Sequence, residues 1–343
     1  MKKSLLFISF VIFILLFIYY LKPILPLNLN KNTKDNIHLR IAYFPNITHA
    51  PIIIGLAKGI FQKHLGNNVV LETKIFNAGP SEIEALFAGE VDIGYIGPGP
   101  AINGYIKSRG RALKIISGST SGGASLIVKS YLSDLYKLKG LIALKNIKVA
   151  SPQLGNTQDL SLRHFIKVNK LSDIKIIPIT NADQITIFTK NEIDAAWAPE
   201  PWATRLVRES GGIRLIDERD LWKDKSFSTT NIIANTKIIQ NRPDLVKKFI
   251  TAHLEVIDWI NTHPEEAQTL ANTEVAKLTS GKLSGEVIKE AWQMLNFTPD
   301  PIILSVQTFA KWAIDEGFIE EKNSDLDNLF FLNILNETAN SKY

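Results

Sequence analysis

The chain has 343 residues, enough for two domains or one bilobed unit with a sizeable core, and its 45% apolar and 21% charged residues are those of a folded globular protein. It contains no cysteine, which excludes disulfides, a thiolate nucleophile and a lipid-modified cysteine. The formal net charge is +5, but Lys2, Lys3 and Lys22 belong to an N-terminal segment without acids; removing these three from the 39 basic residues leaves 36 against 34 acidic, no basis for a nucleic-acid surface.

Met1-Lys2-Lys3 precedes an uncharged apolar run from Leu5 to Leu21, closed by Lys22-Pro23. A basic start followed by a long apolar stretch directs export. No small-x-small cleavage site follows, and the run is at the short edge of a membrane-spanning helix, so residues 1–22 are a signal peptide or a retained N-terminal anchor. In both cases everything after residue 22 is expected outside, in the periplasm or on the outer face of the cytoplasmic membrane, tethered there by residues 5–21 if the segment is kept. Residues 23–37 read as a linker.

From His38 onward strands and helices alternate, which predicts an α/β architecture. Leu39–Tyr43 reads as a strand, Ala50–Leu65 as a helix and Val69–Phe76 as a strand. A second series starts near Lys137, with strands at Ile147–Ala150 and Lys175–Ile179 around a helix at Gln158–Val168. Ser228–Asn235 is extended, and the pattern is helical through Val246–Asn261 and Val306–Glu316. The organisation predicted is one lobe from residues 38–127 plus 237–322, a second from 128–236, and a poorly ordered tail at 323–343. The chain would cross between lobes near Ser125–Lys129 and Asn231–Lys237.

One phrase occurs twice. Residues 82–95 return as 184–197, 102 positions later, with Ile83 on Ile185, Leu86 on Phe188, Glu90 on Glu192, Asp92 on Asp194 and Tyr95 on Trp197. Each copy is followed by a proline pair, Pro98/Pro100 and Pro199/Pro201. Each reads as a helix, a turn and a buried strand. In the first, Ser81 and Glu84 have capping-box spacing and Gly89 suits the left-handed terminator; in the second, Asp183 is the expected cap and Asn191 the terminator. A unit used twice predicts two similar lobes with a ligand cleft between them.

The loops that follow the strands supply the candidate ligand contacts, because ligands of open α/β sheets sit beyond the carboxyl ends of strands. His49 would lie in the first turn of a helix after Leu39–Tyr43. Gly97-Pro98-Gly99 allows close backbone approach. Ser119-Thr120-Ser121-Gly122-Gly123 would form a cradle of hydroxyls and N–H groups. Asn156-Thr157-Gln158 opens a helix whose unpaired N–H groups attract anions. Trp197 and Glu200 offer an aromatic plate and a carboxylate. No metal-ligand spacing, nucleophile elbow or other catalytic constellation accompanies them, so binding without turnover is expected.

At these loops the sequence resembles the substrate-binding proteins of ABC importers for nitrate, taurine and aliphatic sulfonates. The matching stretches are Tyr43–Phe61, Gly79–Gly104, Ser117–Val128, Ala150–Phe165 and Ile193–Leu206, within roughly residues 38–320. The resemblance implies a periplasmic-binding-protein type II fold, two α/β lobes joined by a two-strand hinge that capture a small solute and deliver it to a membrane permease driven by an ATPase. By motif position it assigns the pocket to His49, Gly97–Pro100, Ser119–Gly123, Asn156–Gln158 and Trp197–Glu200, with Glu200 and Asp159 available to an amine. The expectations are a monomer, no cofactor, no metal and no nucleic acid. Similar proteins bind a thiamine pyrimidine precursor or another heteroaromatic, which would stack on Trp197. Others of this fold are enzymes: a desulfinase with a cysteine nucleophile, which this chain lacks, and intracellular pyrimidine synthases using a histidine and iron. A membrane-tethered sensor is a third class, without an attached signalling domain here.

Overall fold

The structure, a computed structural model, describes residues 36–279, 281–320 and 326–340; the apolar run at 5–21 and almost all of the linker lie outside them. Strand β1 (Ile37–Tyr43) buries Leu39, Ile41 and Tyr43 on one face and Ala42 on the other, so the strand is covered on both sides. After a 3-10 turn at Ile47–His49, the predicted single helix is two, α1 (Ala50–Ala57) and α2 (Ile60–Leu65), divided at Gly59, whose φ of +68° breaks the ladder. Strand β2 (Val69–Ile75) follows, then α3 (Gly79–Phe87), β3 (Ile93–Ile96) and α4 (Pro98–Lys107). Helix α3 begins two residues before the expected cap Ser81, because Pro80 is accommodated inside the first turn and no side chain caps the helix.

Strand β4 (Leu113–Gly122) continues past the largely apolar run at 113–116 and leads directly into β5 (Ala124–Val128). The second series is α5 (Ser130–Lys139), β6 (Lys148–Ser151), α6 (Thr157–Val168), β7 (Lys175–Pro178), α7 (Asn181–Thr189), β8 (Ala195–Pro199), α8 (Trp202–Ser210) and β9 (Ile213–Asp217). Thr180, rather than Asp183, caps α7 by accepting from the Asp183 N–H. The chain then runs through β10 (Ser228–Asn235), α9 (Thr236–Asn241), α10 (Pro243–Thr262), α11 (Pro264–Leu278), α12 (Gly285–Gln293), β11 (Leu295–Phe297), α13 (Ile303–Asp315) and α14 (Asn333–Asn340). The described part of the C-terminal tail is therefore ordered structure: Phe331 N–H donates to the Ile115 carbonyl (2.8 Å), and Leu335 of α14 enters the core beside α10.

Two sheets result, with strand orders β11-β4-β10-β3-β1-β2 and β7-β6-β8-β5-β9. Each contains the same parallel trio, β2-β1-β3 in one and β7-β6-β8 in the other, flanked by an antiparallel strand, β10 or β5. The repeated phrase occupies matching places. Asp92 accepts from the Arg40 N–H in the middle of β1 (2.9 Å), and Asp194 accepts from the Lys148 N–H that starts β6 (2.8 Å). Gly89 and Asn191 both take the left-handed conformation, φ +74° and +59°.

The chain passes from the first sheet to the second at Gly122–Gly123 and returns between Asp217 and Ser228. Both changes of sheet lie a few residues upstream of the places the apolar runs indicate. Gly122 and Gly123 hold φ of +76° and +73°, and a Cβ on Gly123 would come within 2.2 Å of Leu295 Cδ2. Helices cover both faces of each sheet.

Candidate functional site

Loops at the carboxyl ends of all six parallel strands meet in one cavity between the sheets. The first sheet contributes Phe44, Asn46, Thr48 and His49 after β1, Asn77 after β2, and Gly97 and Pro100 after β3; Thr229 and Thr230 come from the start of β10. The second sheet contributes Asn156, Thr157 and Gln158 after β6, Asn181 after β7, and Pro199 at the end of β8. The room for the centres of water-sized groups is ≈ 40 Å³, enough for about three of them. A larger groove of ≈ 710 Å³ lies between Trp222–Ser226 and the start of α13, and none of those six loops reaches it.

Among the described residues, no Lys, Arg, Asp or Glu lines the cavity. Its donors are neutral. Nδ1 of His49 accepts the Phe44 N–H (3.2 Å), which leaves the ring proton on Nε2, and burial pushes the imidazole down to about 3, so no charge forms there near neutral pH. The Phe44 and His49 rings are stacked with centroids 4.6 Å apart. Helices α4 and α6 begin at the cavity from opposite sheets, and neither Gly97 nor Asn156 caps its helix through a side chain. The start of α6 carries unpaired N–H groups and the positive end of the macrodipole; α4 contributes its dipole alone, because Pro98 and Pro100 have no N–H and that of Gly99 is bonded to Thr157.

The lobes touch across this cavity. Gly99 N–H donates to Thr157 Oγ1 (3.1 Å), and a Cβ at Gly97 would lie 2.5 Å from the same oxygen. On one flank His164 of α6 stacks on Trp312 of α13 (4.0 Å), with Lys167 3.4 Å from Glu316. On the other, Arg208 of α8 meets Glu290 of α12 (2.6 Å). The cleft is closed.

Of the residues the sequence singles out, His49, Gly97, Asn156, Thr157 and Gln158 line the cavity, with Pro98 and Gly99 one step behind it. The Ser119–Gly123 stretch is not a loop cradle. Ser119, Thr120, Ser121 and Gly122 are strand residues of β4, paired with β10 and β11 on its two sides, and Gly123 is the turn into β5. Thr120 Oγ1 donates to the Thr48 carbonyl (2.7 Å), supporting the His49 turn from beneath. Ser121 Oγ lies 3.2 Å from Ser226 Oγ, and Ser119 Oγ is buried without a partner.

Trp197 is fully buried in the second lobe, beside Phe165, with its Nε1–H donated to Glu218 (2.7 Å). The pleat explains this: Ala196 and Ala198 face one side of β8 and Trp197 the other, toward α6. Glu218 also accepts from Ser161 Oγ (2.6 Å), and burial raises its carboxyl to about 7. Glu200 is likewise buried. It accepts from Arg214 (2.9 Å) and the Thr204 N–H (3.0 Å), and burial raises its pKa against the pull of Arg214. Sequence reasoning missed Asn46, Asn77, Asn181, Thr229 and Thr230, which carry no motif; only the switch-point rule, applied to every strand end, points to the first three.

Among the described residues no group of three His, Asp or Glu could hold a metal ion, and no helix is long and apolar enough to cross a membrane. A protein-family model described as the NMT1-like family matches residues 32–280. A candidate binding protein from Brucella abortus (strain 2308) is 29% identical over 240 residues, 68% of this chain and 70% of that protein. A candidate aliphatic sulfonates-binding protein from Bacillus subtilis (strain 168) is 24% identical over 295 residues, 84% of this chain and 86% of that one. The crystal structure of the periplasmic nitrate-binding protein from Synechocystis PCC 6803 superimposes with a TM-score of 0.71 at 17% identity, covering 89% of this chain and 88% of that chain.

Proposed function

Because the chain belongs to the NMT1-like family, we propose that it is the solute-binding component of an ABC import system, capturing a small acid of the sulfonate or nitrate type between its lobes. The observation that carries this reading is the closed cavity itself, onto which α6 opens an uncapped start and α4, from the opposite lobe, turns the positive end of its dipole. Solute would bind one lobe first and draw the other onto it. The bond between Gly99 and Thr157 then completes the enclosure. A permease and its ATPase would receive the solute, and export through residues 1–22 would place the protein where it meets solute from outside. The named relatives support the acid class, and the neutral donors of the lining suit an oxyanion that needs hydrogen bonds more than a counter-charge.

Titration calorimetry with alkanesulfonates and nitrate tests this directly. A micromolar or tighter dissociation constant at one site, with the solute recovered unaltered, is the expected result. Absence of heat with every acid, alongside binding of a neutral heterocycle, would move the assignment to the heteroaromatic class.

A further inference from the structure

Resting on that reading, we propose that the cavity, lacking a carboxylate in its lining, selects compact acids with a single negative charge against their ammonium-bearing counterparts, and that Thr230 is a side-chain donor to the bound oxyanion. Two carboxylates stand close enough in sequence to the cavity loops to have served an amine, Asp159 and Glu200, and both are consumed elsewhere. Asp159 is 1% exposed and accepts from Ser151 Oγ (2.8 Å), the Gly155 N–H (3.1 Å) and Arg163 Nε (3.0 Å). Glu200 is 0% exposed and holds Arg214 and the Thr204 N–H. An ammonium group entering the cavity would bring three N–H donors and a charge, with no carboxylate in the lining to meet it.

Four threonines line the cavity, and three of their hydroxyls already have a protein partner. Thr48 Oγ1 donates to Asn46 Oδ1, Thr157 Oγ1 accepts from the Gly99 N–H, and Thr229 Oγ1 donates to the Gly122 carbonyl. Thr230 differs: it is 1% exposed and its Oγ1 has no partner among the described residues. A buried hydroxyl left unpaired costs roughly 1–3 kcal/mol, so its partner is expected to be the solute. Together with Nε2–H of His49 and the N–H groups at the start of α6, Thr230 completes a set of donors for an oxyanion. Among the described residues the unpaired buried side-chain acceptors of the lining are Asn181 Oδ1 and the Thr230 hydroxyl, and neither carries the charge that would balance an ammonium.

The test compares pairs of equal size by calorimetry on the full-length protein: ethanesulfonate against aminomethanesulfonate, and propane-1-sulfonate against taurine. Each plain acid is expected to bind at least about tenfold more tightly than its amino partner, the factor that 1.4 kcal/mol gives. Thr230→Val should weaken both plain acids by about tenfold or more, the loss of one hydrogen bond to a charged group, and Thr230→Ser should restore them. Aminosulfonates binding as tightly as the plain acids would overturn the selection. Unchanged affinity in Thr230→Val would overturn the role of Thr230. If that variant does not fold, the ratios on the unaltered protein decide alone. No binding by any acid of the panel would instead bring down the sulfonate or nitrate reading beneath the proposal.

Discussion

The two copies of the repeated phrase occupy equivalent places and end differently. In each, the aromatic residue closing the strand is buried and its polar tip is tied to a core partner: Tyr95 Oη to Nδ1 of His253 (3.0 Å), Trp197 Nε1–H to Glu218 (2.7 Å). Beyond that residue they diverge. The first copy runs through Gly97 and Gly99 into α4, with bare backbone against the opposite lobe. The second runs through Pro199 into Glu200, whose carboxyl is locked by Arg214 and Thr204. The first turn presents bare backbone to the cavity; the second reaches the cavity through Pro199 and is braced behind it by a buried ion pair. Equivalence of position in a repeat thus predicts structure well and role poorly.

That contrast can be broken at its most sensitive point with Gly97→Ala. The φ of −68° tolerates alanine, but the new Cβ would sit 2.5 Å from Thr157 Oγ1 and prop the lobes apart. Melting temperature should hold within a few degrees while affinity falls by about a hundredfold or more, a loss near 3 kcal/mol by calorimetry. Trp197→Phe should do the reverse. It removes a buried ring's volume and strands Glu218, so denaturant melts should show a loss of about 3 kcal/mol. Affinity in the folded fraction should change little. The matching change in the first copy, Tyr95→Phe, leaves only His253 short of a partner and should cost about 1 kcal/mol.

Glu218 sharpens the comparison through pH. Its carboxyl is raised to about 7 in the folded protein from 4.5, so its contribution to stability is full below the unfolded value and is lost as pH rises through about 7. Melts should therefore show declining stability between about pH 4.5 and 7. Glu218→Gln should lack that slope and gain on the order of 3 kcal/mol at pH 8, since Gln can accept from Trp197 and donate to Ser161. A parallel slope in both proteins would show that another group titrates. Binding, by contrast, should be flat over the same range as far as His49 is concerned, because its imidazole titrates at about 3.

Much of the architecture was legible because it is local. Alternating apolar strands, the terminators Gly89 and Asn191, and the recurrence of Asp92 as Asp194 all announce two matching α/β units. Within the cavity, His49, Gly97 and Asn156–Gln158 were legible for the same reason, each following a strand and opening a helix. What failed depended on distant partners. Gly and Ser at 118–123 look like a loop, yet β10 and β11 flank them, and Gly118 leaves room for the Asp300 carbonyl, which a Cβ at that position would meet at 2.0 Å. Nothing near Trp197 or Glu200 in sequence reveals that Glu218 and Arg214 will claim them. Thr229 and Thr230 read as ordinary strand residues, and only the fold brings the start of β10 to the same end as the parallel loops.

The stack between His164 and Trp312 has a practical consequence. Its two rings belong to opposite jaws, so parting them moves an indole from contact with an imidazole into water. Tryptophan emission should shift as the jaws separate, giving a stopped-flow signal for capture and release that requires no added dye.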